Sequence, residues 1–187
     1  ATQAKKAVEG IDGVKVRLRD AGWLKDKGFG GILAVGGGSS RPPMLIELVW
    51  DPQKVDQRRR RRTVVLVGKG VTFDTGGISV KPAAGMDTMR TDMTGGASVI
   101  AAFRALAEQQ VPRKVVALIP TAENMIDGKS YRPGDVVEHY GGLTSEVTNT
   151  DAEGRMILAD AVSYGAKKYK PTAVVTVATL TGAAKVA

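Results

Sequence analysis

Short runs of aliphatic and β-branched residues, separated by stretches with helical spacing, constrain this chain more than any other feature. Five such runs occur: Gly31–Val35 (GILAV), Met44–Trp50 (MLIELVW), Thr63–Val67 (TVVLV), Lys114–Ile119 (KVVALI) and Thr172–Val177 (TAVVTV). Several are apolar without interruption, the pattern of strands covered on both faces. Two stretches repeat apolar residues three and four apart. One is roughly Gly95–Gln109, with Val99, Ile100, Phe103, Leu106 and Ala107 on one face; the other is roughly Arg155–Tyr169, with Ile157, Leu158, Ala161, Val162 and Ala166. Strands alternating with helices predict an α/β fold: a three-layer sandwich around a mostly parallel, mixed central sheet. Residues 1–50 read as a smaller helix-and-strand lead-in, and residues 51–187 as the main unit. The chain stops at TLTGAAKVA, just after a strand and where another helix is expected, so the sheet is expected to be incomplete at its C-terminal end.

At 187 residues the chain has about one domain's worth of length. No apolar run approaches the ~20 residues that span a bilayer, and the first residues carry no signal-peptide pattern. With zero Cys, disulfides and thiolate metal sites are excluded, and a cytoplasmic protein is expected. The net charge of +8 raises the question of an acidic partner, and much of it lies in Arg58–Arg62. That run has no interleaved aromatics for base stacking and no nucleic-acid-binding module around it. It reads as a solvated loop ahead of a strand, with nucleic-acid binding as the minor alternative.

Chemistry concentrates where strands end and helices begin, the place where open α/β sheets bind ligands. TVVLV runs into GKGVTFDTGG, which delivers Lys69 and Asp74. Asp92 falls just before the first helical stretch. NTDAEGR, residues 149–155, brings Asp151, Glu153 and Arg155 just before the second. Read as an extended segment, NTDAEGR would point those three side chains to one face; as an isolated pattern it is more often a solvated polar turn. Four carboxylates gathered together cannot all be ionised without cations. Oxygen ligands suit Mg or Mn, and Zn accepts carboxylates too. Lys69, flanked by Gly on both sides, could form a salt bridge or, beside metal ions, lose its proton and become a neutral ligand. The lone His139 cannot build a His cluster and reads as a surface or structural residue. Rival motifs fail: GKS at 128–130 would need Gly at 123 for a phosphate-binding loop and has Glu123, the GGGSS stretch at 36–40 completes no GxGxxG, and no GxSxG is present.

VGKGVTFDTGGISVKP, the MDTMRTDMTGGA that follows, and NTDAEGRM together resemble the leucyl aminopeptidase (cytosol aminopeptidase) family, in that family's order and close to its spacing. The resemblance implies an α/β sandwich, a metallo-exopeptidase that hydrolyses the first residue, preferably leucine, from peptides with a free N-terminus, and hexamers of two-domain subunits. It implies two divalent ions, Zn or Mn and possibly Mg. One would be held by Lys69, Asp74, Asp92 and Glu153, the other by Asp74, Asp151 and Glu153. Lys81 and Arg155 match the two catalytic residues that are not ligands, Arg155 holding a bicarbonate ion as general base. Met89, Thr179 and Gly182 match the substrate side-chain pocket, and Leu180 a position whose backbone carbonyl meets the substrate. Asn149, at the head of NTDAEGR, joins the substrate-binding set. On this resemblance residues 51–187 are the metal-binding part of a catalytic domain, without the domain that precedes it or the chain that follows. A catalytically inactive metal-binding fragment is the alternative reading.

Overall fold

The computed structural model describes residues 1–52 and 62–185. Helix α1 (Thr2–Ala7), strand β1 (Val14–Arg19), helices α2 (Ala21–Asp26) and α3 (Gly30–Gly36), and strand β2 (Met44–Trp50) come first. They are followed by β3 (Val64–Gly68), β4 (Gly70–Asp74), α4 (Thr94–Glu108), β5 (Val115–Asn124), the short pair β6 (Val136–Glu138) and β7 (Thr144–Glu146), α5 (Glu153–Tyr169) and β8 (Ala173–Val177). The main sheet runs β1-β2-β5-β3-β8, with β4 also pairing β5. The β5–β3, β3–β8 and β5–β4 pairs are parallel, while β1–β2 and β2–β5 are antiparallel. The expected mixed sheet is therefore present. Arg58–Arg61 lie outside the described residues, so the basic run is not placed.

Strand alternation sorts the core into two layers. Leu45, Val49, Val65, Val67, Val116 and Leu118 face Phe29, Ile32, Ile157, Ala161 and Tyr164 of the α2–α3–α5 layer. Ile46, Leu48, Trp50, Val115, Ala117 and Ile119 face Ala4, Val8, Val99, Phe103 and Ala107 of the α1–α4 layer. Both predicted helices form within two residues of their expected bounds. Ala166 of α5, expected on the apolar face, is exposed. In β8 every residue is exposed.

One strand prediction is wrong. Residues 31–35 form the body of α3, not a strand. Gly31, Ile32, Val35 and Gly36 are the buried residues there, an i, i+1, i+4, i+5 stripe of helical period. A five-residue apolar run carries too little period to separate a buried strand from a buried helix. The tertiary anchor is Asp160 of α5, fully buried, whose Oδ2 accepts from the Ile32 amide at 2.8 Å. Its Oδ1 accepts from Tyr140 N at 2.9 Å and lies 3.2 Å from His139 Nδ1. His139 is thus a buried structural residue, not a surface one, with its Nε2 3.1 Å from Ser145 Oγ.

The break between β3 and β4 positions the site. β3 pairs with both β5 and β8, whereas β4 continues along β5 alone. Lys69 falls in that break. Its amide donates to Val177 O at 3.0 Å, and its carbonyl accepts from Gly96 N at 2.7 Å, so the end of β8 and the start of α4 clamp it. Pro120, which has no N–H to give, sits in β5 between the residues that pair with β3 and those that pair with β4.

Candidate active site

Lys69 emerges from the strand break with its side chain almost wholly buried. Its Nζ lies 2.7 Å from Glu153 Oε1, 2.7 Å from Asp92 Oδ2 and 2.8 Å from Asp92 Oδ1, and donates to the Thr179 carbonyl at 3.0 Å. Gly154 makes room for this: a Cβ there would stand 3.0 Å from Lys69 Cε and from Leu180 Cδ1. Thr179 Oγ1 donates to Asp92 Oδ1 at 2.7 Å. Asp92 caps the end of a 3-10 turn, Met86–Thr91, two residues ahead of α4. Met89 is half-buried in that turn, while Leu180 and Gly182 are exposed beyond β8.

The second half of the site is built on Asp74, the last residue of β4. Asp74, Asp151 and Glu153 offer carboxylate oxygens that all lie within 4.8 Å of one another. Lys81 Nζ bridges two of them, 3.0 Å from Asp74 Oδ2 and hydrogen-bonded to Asp151 Oδ1. The expected extended segment is not what brings the acids together. Residues 150–152 form a 3-10 turn, and Glu153 opens α5. Asn149 caps that turn by accepting from Asp151 N at 2.8 Å. A helix start favours the acids for a physical reason: its unpaired amides and positive dipole end stabilise negative charge. Arg155 lies in the first turn of α5, exposed, its side chain without a hydrogen bond or ion pair among the described residues.

The electrostatics of this cluster are those of a cation site. Burial works against the Lys69 ammonium, but Glu153 and Asp92 outweigh it and hold its pKa above the ordinary value. Lys81 behaves likewise, burial being overturned by Asp151 and Asp74. Glu153 shares Lys69 with Asp92 and also faces Asp74. Burial, then the Asp74 charge, push its carboxyl up to about 7 against the pull of Lys69. Four carboxylates against two ammonium groups leave a deficit of positive charge. Glu153 Oε2 is buried without a hydrogen-bond donor among the described residues. Oxygen donors with no Cys or His, plus two lysines that already take cation positions, fit a hard or borderline divalent ion.

Two residues that sequence reasoning passed over complete the geometry. Asn124, fully buried at the end of β5, donates to Asp74 Oδ1 at 2.8 Å. Tyr131 donates to Thr150 O at 2.7 Å, and burial with the Glu153, Asp74 and Asp151 charges raises its pKa. The signal for Asn124 was its position, the first amide after the apolar KVVALI strand.

Across residues 1–187 the chain matches the family model described as "Cytosol aminopeptidase family, catalytic domain". The chain belongs to the cytosol aminopeptidase family. It is 54% identical over 175 residues to a probable cytosol aminopeptidase of Corynebacterium diphtheriae, covering 94% of this chain and 34% of that protein. The solved cytosol aminopeptidase of Coxiella burnetii matches with a TM-score of 0.89 at 42% identity, covering 100% of this chain and 39% of that one. The bottromycin maturation enzyme BotP in complex with Mn matches with a TM-score of 0.87 at 43% identity, over 100% of this chain and 40% of that one. The chain spans about a third of the length of the curated relatives it matches. Among the described residues no helix is long and apolar enough to cross a membrane.

For a family member with this cluster, ion uptake must expel the proton that Glu153 holds near neutrality. Divalent-ion affinity should therefore fall about fivefold between pH 7 and pH 6 from this group alone, and Glu153 should add no pH dependence well above 7. Calorimetric titration of Mn at several pH values reads this directly. Equal affinity at pH 6 and pH 8 would be inconsistent with the environment assigned to Glu153.

Proposed function

We propose that this chain is the metal-binding part of the catalytic domain of an aminopeptidase that removes the first residue, leucine or a similar apolar one, from peptides with a free N-terminus. The observation that carries the reading is the meeting of Asp74, Asp151 and Glu153 within 4.8 Å, with Lys69 and Asp92 joined to the same cluster through Glu153. Two divalent ions, Zn, Mn or Mg, would be held there: one by Lys69, Asp74, Asp92 and Glu153, the other by Asp74, Asp151 and Glu153. When bound they supply Lewis acidity to the scissile carbonyl and to the attacking water.

The chain's own residues account for the rest. Asp92 orients the substrate's free α-amine, which limits cleavage to the first residue. Lys81 donates to the oxygen on which negative charge develops; its ammonium sits against Asp74 and Asp151. The exposed guanidinium of Arg155 presents a planar fork suited to bicarbonate, which when bound would supply the general base that Arg155 itself cannot be. Met89, Thr179 and Gly182 surround the substrate side chain, with the Leu180 carbonyl and Asn149 contacting its backbone. The hydrogen bond from Lys69 to the Thr179 carbonyl supports setting this wall beside the proposed ligands. A cytoplasmic location and a hexamer of longer subunits follow from the same family likeness, and light scattering of a protein of the relatives' full length tests the assembly.

The experiment is hydrolysis of a leucine amide by a protein of the relatives' full length that carries this segment. Lys81→Ala should keep its metal content and lose about 10²–10³ in kcat. Added bicarbonate should accelerate the wild type. Turnover near wild type in the Lys81 variant removes that residue from the mechanism, and hydrolysis of an N-acetylated substrate at the same rate removes the aminopeptidase reading. Metal uptake without turnover at full length would leave the inert-scaffold reading standing.

A further inference from the structure

Asn124 is fully buried at the end of β5 and faces two segments far apart in sequence. Its Nδ2 donates to Asp74 Oδ1 at 2.8 Å and to Thr150 O at 3.1 Å. Its Oδ1 has no hydrogen-bond partner among the described residues. The amide orientation follows from the acceptors: turned over, Oδ1 would face a carboxylate and a carbonyl, with no donor between them. Gly77 shapes the space beside it, at φ +67° with a would-be Cβ only 3.0 Å from Asn124 Oδ1. A buried amide left half satisfied costs stability. What it gives in return is geometric.

Asp74 Oδ1 also accepts from Gly76 N at 2.9 Å, so two protein donors occupy it. Asp74 Oδ2 faces the other way, toward the Lys81 ammonium at 3.0 Å. On the Thr150 side, the carbonyl that Asn124 holds also accepts from Tyr131, and the acids Asp151 and Glu153 follow within three residues. One amide therefore ties the β4 carboxylate to the turn that carries the other two.

We propose that Asn124 is a positioning residue for the metal centre: it pins one oxygen of Asp74 to the protein, leaves the other for cations, and sets the spacing between Asp74 and the 150–153 turn. This rests on the reading of the cluster as a metal site. Outer hydrogen-bond partners of ligating carboxylates typically change metal affinity by about 10–100-fold. Asn124→Leu, of similar size and without donors, should therefore weaken Mn binding by that factor in calorimetric titration. Thr121→Val removes a hydrogen bond of the same strand, from Thr121 Oγ1 to Met44 O at 2.9 Å, away from the carboxylates, and should leave Mn affinity unchanged. If the Leu variant does not fold, Asn124→Ser, too short to reach Asp74, carries the same expectation. Wild-type Mn affinity in the Asn124 variant, or an equal loss in Thr121→Val, overturns the proposal. A wild-type protein that takes up no Mn overturns the metal reading itself, and this inference with it.

Discussion

Glu153→Gln is expected to yield a folded protein that no longer gains stability from divalent ions. The amide keeps the side chain's shape, and Lys69 keeps Asp92 as an ion partner at 2.7 Å. Because burial and Asp74 push the Glu153 carboxyl up to about 7, the metal-free protein loses little charge at neutral pH. What disappears is the carboxylate that faces both halves of the cluster. At an ion concentration of 100 times Kd, the wild type should gain about 2.7 kcal/mol from binding and the variant close to none. Hydrolysis should fall to background in parallel. Thermal melts with and without Mn read the difference, and an ion-induced shift of wild-type size in the variant would show that Glu153 is not a ligand.

Glu47→Ala is expected to be the most destabilising single change outside the site. Glu47 is fully buried in the middle of β2, on the face covered by α5. It accepts from Arg17 at 3.2 Å, Arg19 at 3.1 Å, Lys168 at 2.6 Å and Tyr164 at 3.3 Å, and also from Tyr169. Burial alone would raise its pKa, but the hydrogen bonds from Lys168 and Tyr169 and the Lys168 and Arg19 charges hold it below the ordinary value. Removing one member of such a cluster strands the others and costs about 3–5 kcal/mol. We expect the low end, about 3 kcal/mol, because Arg17, Arg19 and Lys168 retain access to water. Since the folded pKa is depressed, the stabilisation is present above about pH 4.5 and fades as the pH falls through the lower folded value. Denaturant unfolding at neutral and acid pH checks both points. A loss below about 0.5 kcal/mol at neutral pH, typical of a surface change, would contradict the role of Glu47.

The sequence was most readable where a local pattern meets a global need. The aliphatic and β-branched runs at 44–50, 64–67, 115–119 and 173–177 became sheet strands, 115–119 buried throughout and 173–177 paired with β3 although every residue of it is exposed. Residues 31–35 were not readable, since their helical stripe depends on Asp160 receiving the Ile32 amide across the fold. The acids and lysines of the site were legible from strand ends, helix starts and motif order. How they meet was not. The alternation in NTDAEGR suggested an extended segment, whereas a 3-10 turn and a helix start bring Asp151 and Glu153 to Asp74. Glu47 and Asn124 carried a weak signal, a polar residue inside or ending an apolar strand. Their partners lie on α5, β1, β4 and the 3-10 turn that begins at Thr150, contacts that no local window reveals.

The central claim is that this cluster holds divalent ions. The most direct measurement is the metal stoichiometry of the purified chain, by native mass spectrometry after dialysis against Mn, for wild type beside Glu153→Gln. The predicted result is two ions per wild-type chain and loss of the pair in the variant. A wild-type chain that binds no ion, or a variant that binds two as the wild type does, would contradict the account.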